Sequence, residues 1–284
     1  GFAQRIVFLF FCVSLAFGQR IPQSFFEPVE VTVEQQNQIQ ALDTIVEKSE
    51  LQLKALAMLY AETKAYEESF EIFEKLVESH PEEFEYQYLL GGISGILASE
   101  VPRMKSLPYV RSMKDAFEQA ARIKPDALEV QLALLELYTE LPWVLGGSNK
   151  KAEKTLESIK SISTIEGFLA EGYFYRVTKK NKEALVAYLN AVNEVRSCEG
   201  SINATNNAYY HLAVCAYYLQ KDVLKATCFF RNYLAKHDAG DAYPKSFAKY
   251  YLEKISNPEA FDDEVETILI EYDKLTSWIQ NNFK

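Results

Sequence analysis

From Glu50 to Glu83 apolar residues recur at helical spacing in two blocks. Leu53, Leu56, Ala57 and Tyr60 mark the first, Ser69, Phe73 and Leu76 the second, and His80-Pro81 closes the stretch. The pattern predicts a helix, a short turn and a second helix; the proline then stops it, having no N–H to extend the ladder. Ala57 and Ser69 are small where the two axes would cross, and Tyr60 would fill the space near the turn. One such hairpin cannot bury its own apolar face, so neighbouring copies are expected.

Four further copies follow. The second has Leu89, Leu90 and Gly91 in a helix over about 84–97, and Met113, Phe117 and Ala120 in a helix over about 109–123, ended by Pro125. Between them SEVPRMKSLP carries Pro102 and Pro108 and reads as a loop, of the kind that projects from an edge and makes contacts. The third opens at about Asp126 with Leu132, Leu135 and Tyr138. Pro142 stops that helix, Gly146-Gly147 turns, Ser148 is a good N-cap, and Ala152, Leu156 and Ile159 continue inward. The fourth has Phe168, Gly172 and Tyr175, the basic turn 179–182, then Ala184, Tyr188 and Ala191. A polar loop over 197–207 contains the glycosylation sequon Asn203-Ala204-Thr205, relevant only in a eukaryotic secretory pathway. The fifth has Tyr210, Ala213, Val214 and Tyr217, then Ala226, Phe230 and Tyr233. A polar helix over 34–49, with Ile39, Leu42, Ile45 and Val46 as its stripe, would cap the start. A helix over 244–255 and a long one from Pro258 to about Asn281 would close the end.

The unit resembles the tetratricopeptide repeat in length and pattern, over roughly 50–235. The resemblance implies an all-α fold: a right-handed α-solenoid of about five hairpins (50–83, 84–125, 126–163, 165–197 and 207–236) between N- and C-terminal capping helices, the latter over 243–283. It also implies a concave face lined by first helices, and a non-catalytic scaffold that binds a partner protein or peptide in that groove. First-helix residues pointing away from the hairpin cores are the groove candidates: Lys54, Met58, Leu169, Tyr173, Arg176, His211 and Tyr218. One subgroup grips C-terminal carboxylates with Lys and Asn. Only Lys54 fits that pattern, because Met58, Tyr173 and Cys215 stand where Asn is needed, so apolar or stacked contacts are expected instead. The alternative is a binder of a small ligand or glycan, using the aromatic groove and the loops at 98–108 and 197–207. The turn from Pro142 to Ala152 resembles a variant of some bacterial repeat proteins and reads as turn plus cap; as an anion site it would lack the P-loop pattern.

Composition narrows this further. A formal charge of −10 argues against a nucleic-acid partner. Arg5, the apolar run from Ile6 to Phe17, and Ala16 and Gly18 before Gln19 describe a secretory signal peptide over 1–18, with an uncleaved membrane anchor as the alternative. Residues 19–33 then read as a linker, and 34–284 as the repeat domain. The LAFGQ ending resembles leaders of Bacteroidetes, implying export to the periplasm or the outer-membrane periphery. An outer-membrane assembly subunit of this repeat type would usually be a lipoprotein, and Leu9-Phe10-Phe11 before Cys12 does not suit lipidation. Of the remaining cysteines, Cys215 and Cys228 read as buried small apolar residues, with one disulfide including Cys198 as the other possibility. Three scattered histidines and no CxxC give no metal spacing. No G-x-S-x-G, H-E-x-x-H or dinucleotide fingerprint occurs, and nothing ties His211 to a nucleophile, so neither catalysis nor a cofactor is expected.

Overall fold

The computed structural model describes residues 30–197, 202–238, 240–259 and 262–283. The expected leader over 1–18 and most of the expected linker over 19–33 lie outside these. Among the described residues the chain is helical, with no strand. The α-helices are α1 (Val33–Asp43), α2 (Glu50–Glu62), α3 (Tyr66–Ser79), α4 (Phe84–Glu100), α5 (Arg103–Ile123), α6 (Leu128–Glu140) and α7 (Asn149–Ile162). They continue with α8 (Thr164–Val177), α9 (Asn181–Glu194), α10 (Asn206–Cys215), α11 (Val223–Lys236), α12 (Lys245–Ser256), α13 (Asp263–Tyr272) and α14 (Lys274–Asn282). A 3₁₀ turn, Trp143–Leu145, follows α6, and a π turn, Ala216–Gln220, follows α10.

Sequence-adjacent helices pack on one another, most closely α2 with α3, α4 with α5, α6 with α7, α8 with α9, and α10 with α11. Small residues permit the close crossings. Ser69 is fully buried and its Oγ donates to the Ala57 carbonyl at 2.7 Å. Gly91 lies flat against the Phe117 ring, and Gly172 against Tyr188; a Cβ on either would come within 2.6 Å of the ring. Met113, Ala152, Ala184 and Ala226 are likewise buried. Ser and Thr start several helices by taking up free N–H groups: Ser49 with Gln52 forms a capping box, and Ser148 accepts from the Lys151 amide at 3.3 Å.

Three turns share one unusual feature. Lys64, Lys179 and Lys221 have φ of 63°, 63° and 56°, between α2 and α3, between α8 and α9, and between the π turn and α11. In the first two, the following amide bonds back to a tyrosine carbonyl: Ala65 N to Tyr60 O and Lys180 N to Tyr175 O, both 2.8 Å. This is how a left-handed residue closes a helix end.

Buried residues form two clusters. The first spans α2 to α7 and reaches Ala170 and Phe174 on α8; the second runs from Leu169 and α9 to α14. Tyr175 packs against both.

Several expectations are corrected. The stretch 98–108 is not a loop: α4 runs to Glu100 and α5 begins at Arg103, leaving Val101 and Pro102 between them. Pro102 caps α5, and Pro108 lies early in it, where its missing N–H removes only one ladder bond. The last helix does not run unbroken to Asn281. It breaks at Asp273, whose buried carboxylate accepts from the amides of Leu275 and Thr276 and starts α14. The first helix stops at Asp43, which leaves Val46 almost fully exposed. Cys228 is not a free apolar residue but half of a disulfide whose other half lies outside the described residues; Cys215 is a buried free thiol.

Candidate ligand site on the first helices

The seven sequence-derived groove residues do not form one surface. Lys54 is spent on a partly buried ion pair with Glu85, Nζ to Oε2 at 2.5 Å. Met58 packs on the first core cluster. Leu169 is buried in the second cluster, so it offers no contact surface. Tyr218 is covered by the C-terminal helix: Gln280 Nε2 donates to its hydroxyl at 3.0 Å, and its ring meets Tyr217 and Tyr251 edge-on.

Tyr173, Arg176 and His211 do come together, on α8 and α10, and two further elements complete the group. From α6 come Glu136 and Glu140, one turn apart; from the segment before α12 comes Tyr243. The Tyr173 hydroxyl donates to Glu140 Oε1 at 2.9 Å. The Arg176 guanidinium carbon sits 5.4 Å from the centre of the Tyr173 ring, and Nη1 reaches the Lys274 carbonyl at 3.5 Å. His211 Nε2 lies 3.0 Å from the Tyr243 hydroxyl. Glu136, Tyr173, Arg176 and His211 are walled by protein yet keep some solvent access, as side chains on the floor of a concavity do.

This enclosure sets the electrostatics. Burial, then the neighbouring Glu140 charge, pushes the Glu136 carboxyl well above the usual carboxylate range, and Arg176 opposes the shift. Burial and the Arg176 charge lower His211 from 6.5 to about 3, so its imidazole is neutral. Burial raises the Tyr173 and Tyr243 hydroxyls, which remain protonated.

Two polar groups here are left open. Arg176 Nε is buried without a hydrogen-bond partner. The Glu136 carboxyl makes no hydrogen bond among the described residues, but solvent still reaches it. Buried polar groups are normally satisfied. A buried donor without an acceptor, beside a carboxyl whose raised pKa favours the protonated form and which solvent still reaches, is matched by the C=O groups of an extended polypeptide.

Sequence reasoning passed over Glu136, although a signal was there. It follows Leu135 as Met58 follows Ala57, Tyr173 follows Gly172 and Cys215 follows Val214, so it holds the same place in its helix. Read alone, a glutamate on a helix looks like solvated surface.

Elsewhere, two adjoining crevices of about 320 and 460 Å³ lie over α7 to α9 and share Glu171 and Tyr175. Lys160, on the wall of one, already pairs with Glu157 and Glu171, so their charges are largely answered within the fold. Among the described residues no group of His, Cys, Asp or Glu is placed to hold a metal, and no helix is long and apolar enough to cross a membrane. Compared with known proteins, the chain matches no family model and no curated protein.

Proposed function

We propose that the chain is a tetratricopeptide-type scaffold that binds an extended segment of a partner protein on the faces of α6, α8 and α10. Five closely packed consecutive helix pairs, the glycine-on-ring crossings at Gly91 and Gly172, and the matched left-handed lysines support a stack of five such repeats; its right-handed sense is what the resemblance implies. The observation that carries the functional reading is the buried Arg176 Nε left without an acceptor, beside the Glu136 carboxyl and among Tyr173, His211 and Tyr243. The disulfide at Cys228 supports an exported protein, because such bonds persist in oxidising compartments; the periplasm or the periphery of the outer membrane fits the leader. The glycan-binding alternative loses one of its two loops, since 98–108 is almost entirely helical.

The test is capture of partners from a cell-envelope extract by the tagged full chain, read by mass spectrometry. Tyr173→Ala/Arg176→Ala and Lys54→Ala variants are run beside it. One dominant protein, lost with the first variant and kept with the second, is the expected result. Retention by the double variant would remove the α6–α8–α10 face from the proposal.

A further inference from the structure

The edge of the fold where α4 passes into α5, and α6 into α7, carries a surface that the site above does not use. Met104 is 90% exposed, Leu107 40%, Trp143 84% and Val144 64%. Single exposed apolar residues need no explanation, whereas a group of them does. On α5 the exposed positions Met104, Leu107, Pro108 and Arg111 fall on one face, a strip roughly 10 Å long at the helical rise. The turn bearing Trp143 and Val144 approaches α5 past the end of that strip. Gly146 lies so close to Lys114, one turn past Arg111, that a Cβ there would meet Lys114 Cδ at 2.8 Å.

The charge of this edge is opposite to that of the molecule. Between Val101 and Lys114, and again between Leu141 and Ala152, the chain has basic residues and not one acid, in a protein of net charge −10. Lys105, Arg111, Lys150 and Lys151 are exposed. The nearest acids in the sequence are Glu100, Asp115, Glu118, Glu140 and Glu153. Of these, Asp115 is paired with Lys114 at 3.3 Å and Glu118 with Lys151 at 2.8 Å.

We infer that this edge docks on an anionic lipid bilayer. Trp143, Val144, Met104 and Leu107 enter the headgroup layer, while Lys105, Arg111 and Lys150 meet lipid phosphates. Apolar side chains ringed by lysine and arginine are the composition of interfacial membrane contacts, and tryptophan favours that depth. The apolar tips project from a turn and a helix start. A partner protein would have to offer pockets for them; a fluid interface accepts them as they are. The acidic remainder of the surface is repelled by the same bilayer, so the orientation is fixed.

The test uses the full chain and vesicles of phosphatidylglycerol with phosphatidylcholine, against vesicles of phosphatidylcholine alone. Flotation is expected to show binding about tenfold or more stronger to the anionic vesicles, weakening as salt is raised. The chain has two tryptophans, so Trp278→Phe isolates Trp143, whose fluorescence should be quenched by brominated lipid. If that variant folds poorly, the difference between wild type and Trp143→Phe gives the same reading. Lys105→Glu/Lys150→Glu and Trp143→Ser, all at exposed positions, should each abolish most of the binding without changing the thermal melt. Equal binding to both vesicle types, or flotation without quenching, overturns the proposal. So does loss of a captured protein partner in Trp143→Ser when no vesicle binding is seen, which would make the edge a protein-docking surface.

Discussion

The hydroxyl of Tyr210 donates to Oδ2 of Asp273 across 2.9 Å, with both side chains fully buried. The same carboxylate accepts from Thr276 Oγ1 at 2.6 Å and from the amides of Leu275 and Thr276 at 3.1 Å. It therefore breaks the C-terminal helix, caps its second half, and ties that half to α10. Burial pushes its pKa up from 3.8 while these hydrogen bonds pull it down, the net direction being up. Tyr210→Phe leaves a buried carboxylate short of one donor and should cost about 1.5–3 kcal/mol in urea unfolding. In Asp273→Asn the same substitution should cost clearly less, since the charge that needs the donor is gone; equal costs in the two backgrounds would show that the bond carries no coupling.

His211 makes stability depend on pH. Its pKa is lowered from 6.5 to about 3 in the fold, by burial first and the Arg176 charge second. The unfolded chain thus takes up a proton that the folded chain refuses. The contribution of His211 is complete above the unfolded pKa near 6.5 and is lost progressively as pH falls toward 3, by at most about 1.4 kcal/mol per pH unit. His211→Gln should flatten the fall in urea midpoint between pH 6.5 and about pH 5, before most carboxylates titrate. An unchanged slope would mean that the imidazole takes up its proton as readily in the fold as in the unfolded chain.

Lys64 and Lys179 hold left-handed backbone at a cost that glycine would not bear. Lys64→Gly and Lys179→Gly should each raise stability, by about 0.5–1 kcal/mol once the greater freedom of glycine in the unfolded chain is counted. Thermal melts would register the gain as a shift of a few degrees at most. A loss would show that the lysine side chains contribute more than their backbone costs.

Gly172→Ala should do the reverse of what helix propensity suggests. Alanine in a helix interior is favoured over glycine by about 1 kcal/mol. Here, however, its Cβ would fall 2.6 Å from Cε1 of the buried Tyr188 ring. Overpacking of this kind costs about 1–3 kcal/mol, so net destabilisation is expected, and likewise for Gly91→Ala against Phe117. A chemical denaturation series with Tyr188→Leu as relief would separate the clash from any backbone effect.

The helical pairs were legible because their signal is redundant. Apolar spacing, a small crossing residue such as Ser69, Ala184 or Ala226, and a capping or stopping residue all agree at each one, and these small residues are fully buried. Where one signal stood alone, the reading failed. Pro102 and Pro108 suggested a loop, but one caps α5 and the other lies near its start. The apolar stripe of Leu269, Leu275 and Ile279 continues straight through the break at Asp273, because both pieces are buried on one side. Nothing local marks a buried aspartate as different from a solvated one. The candidate site was half legible: the place of Tyr173, Arg176 and His211 on the first helices pointed to three of the residues that the fold brings together. Glu136 and Tyr243 were passed over, because a charged residue gives no burial signal and Tyr243 belongs to no repeat. Lys54 and Tyr218 occupied groove positions by spacing but are engaged by Glu85 and Gln280, contacts between elements that spacing along one helix does not encode.

The two core clusters meet at one helix, α8, where Phe174 belongs to one, Leu169 to the other, and Tyr175 to both. A fold whose buried residues form two separate clusters can open one before the other. The free molecule should therefore melt in two steps, each half acting as its own unit, with α8 as the seam. Tyr173 and Arg176 sit on that seam, reaching to α6 on one side and to the C-terminal segment on the other. A partner segment of the kind proposed, bound across them, would act as a clasp: its binding energy would be lost if either half opened, so occupancy would fuse two transitions into one. The proposed site would then do more than recognise a partner, since it would also report, through the protein's own mechanical unity, whether that partner is present.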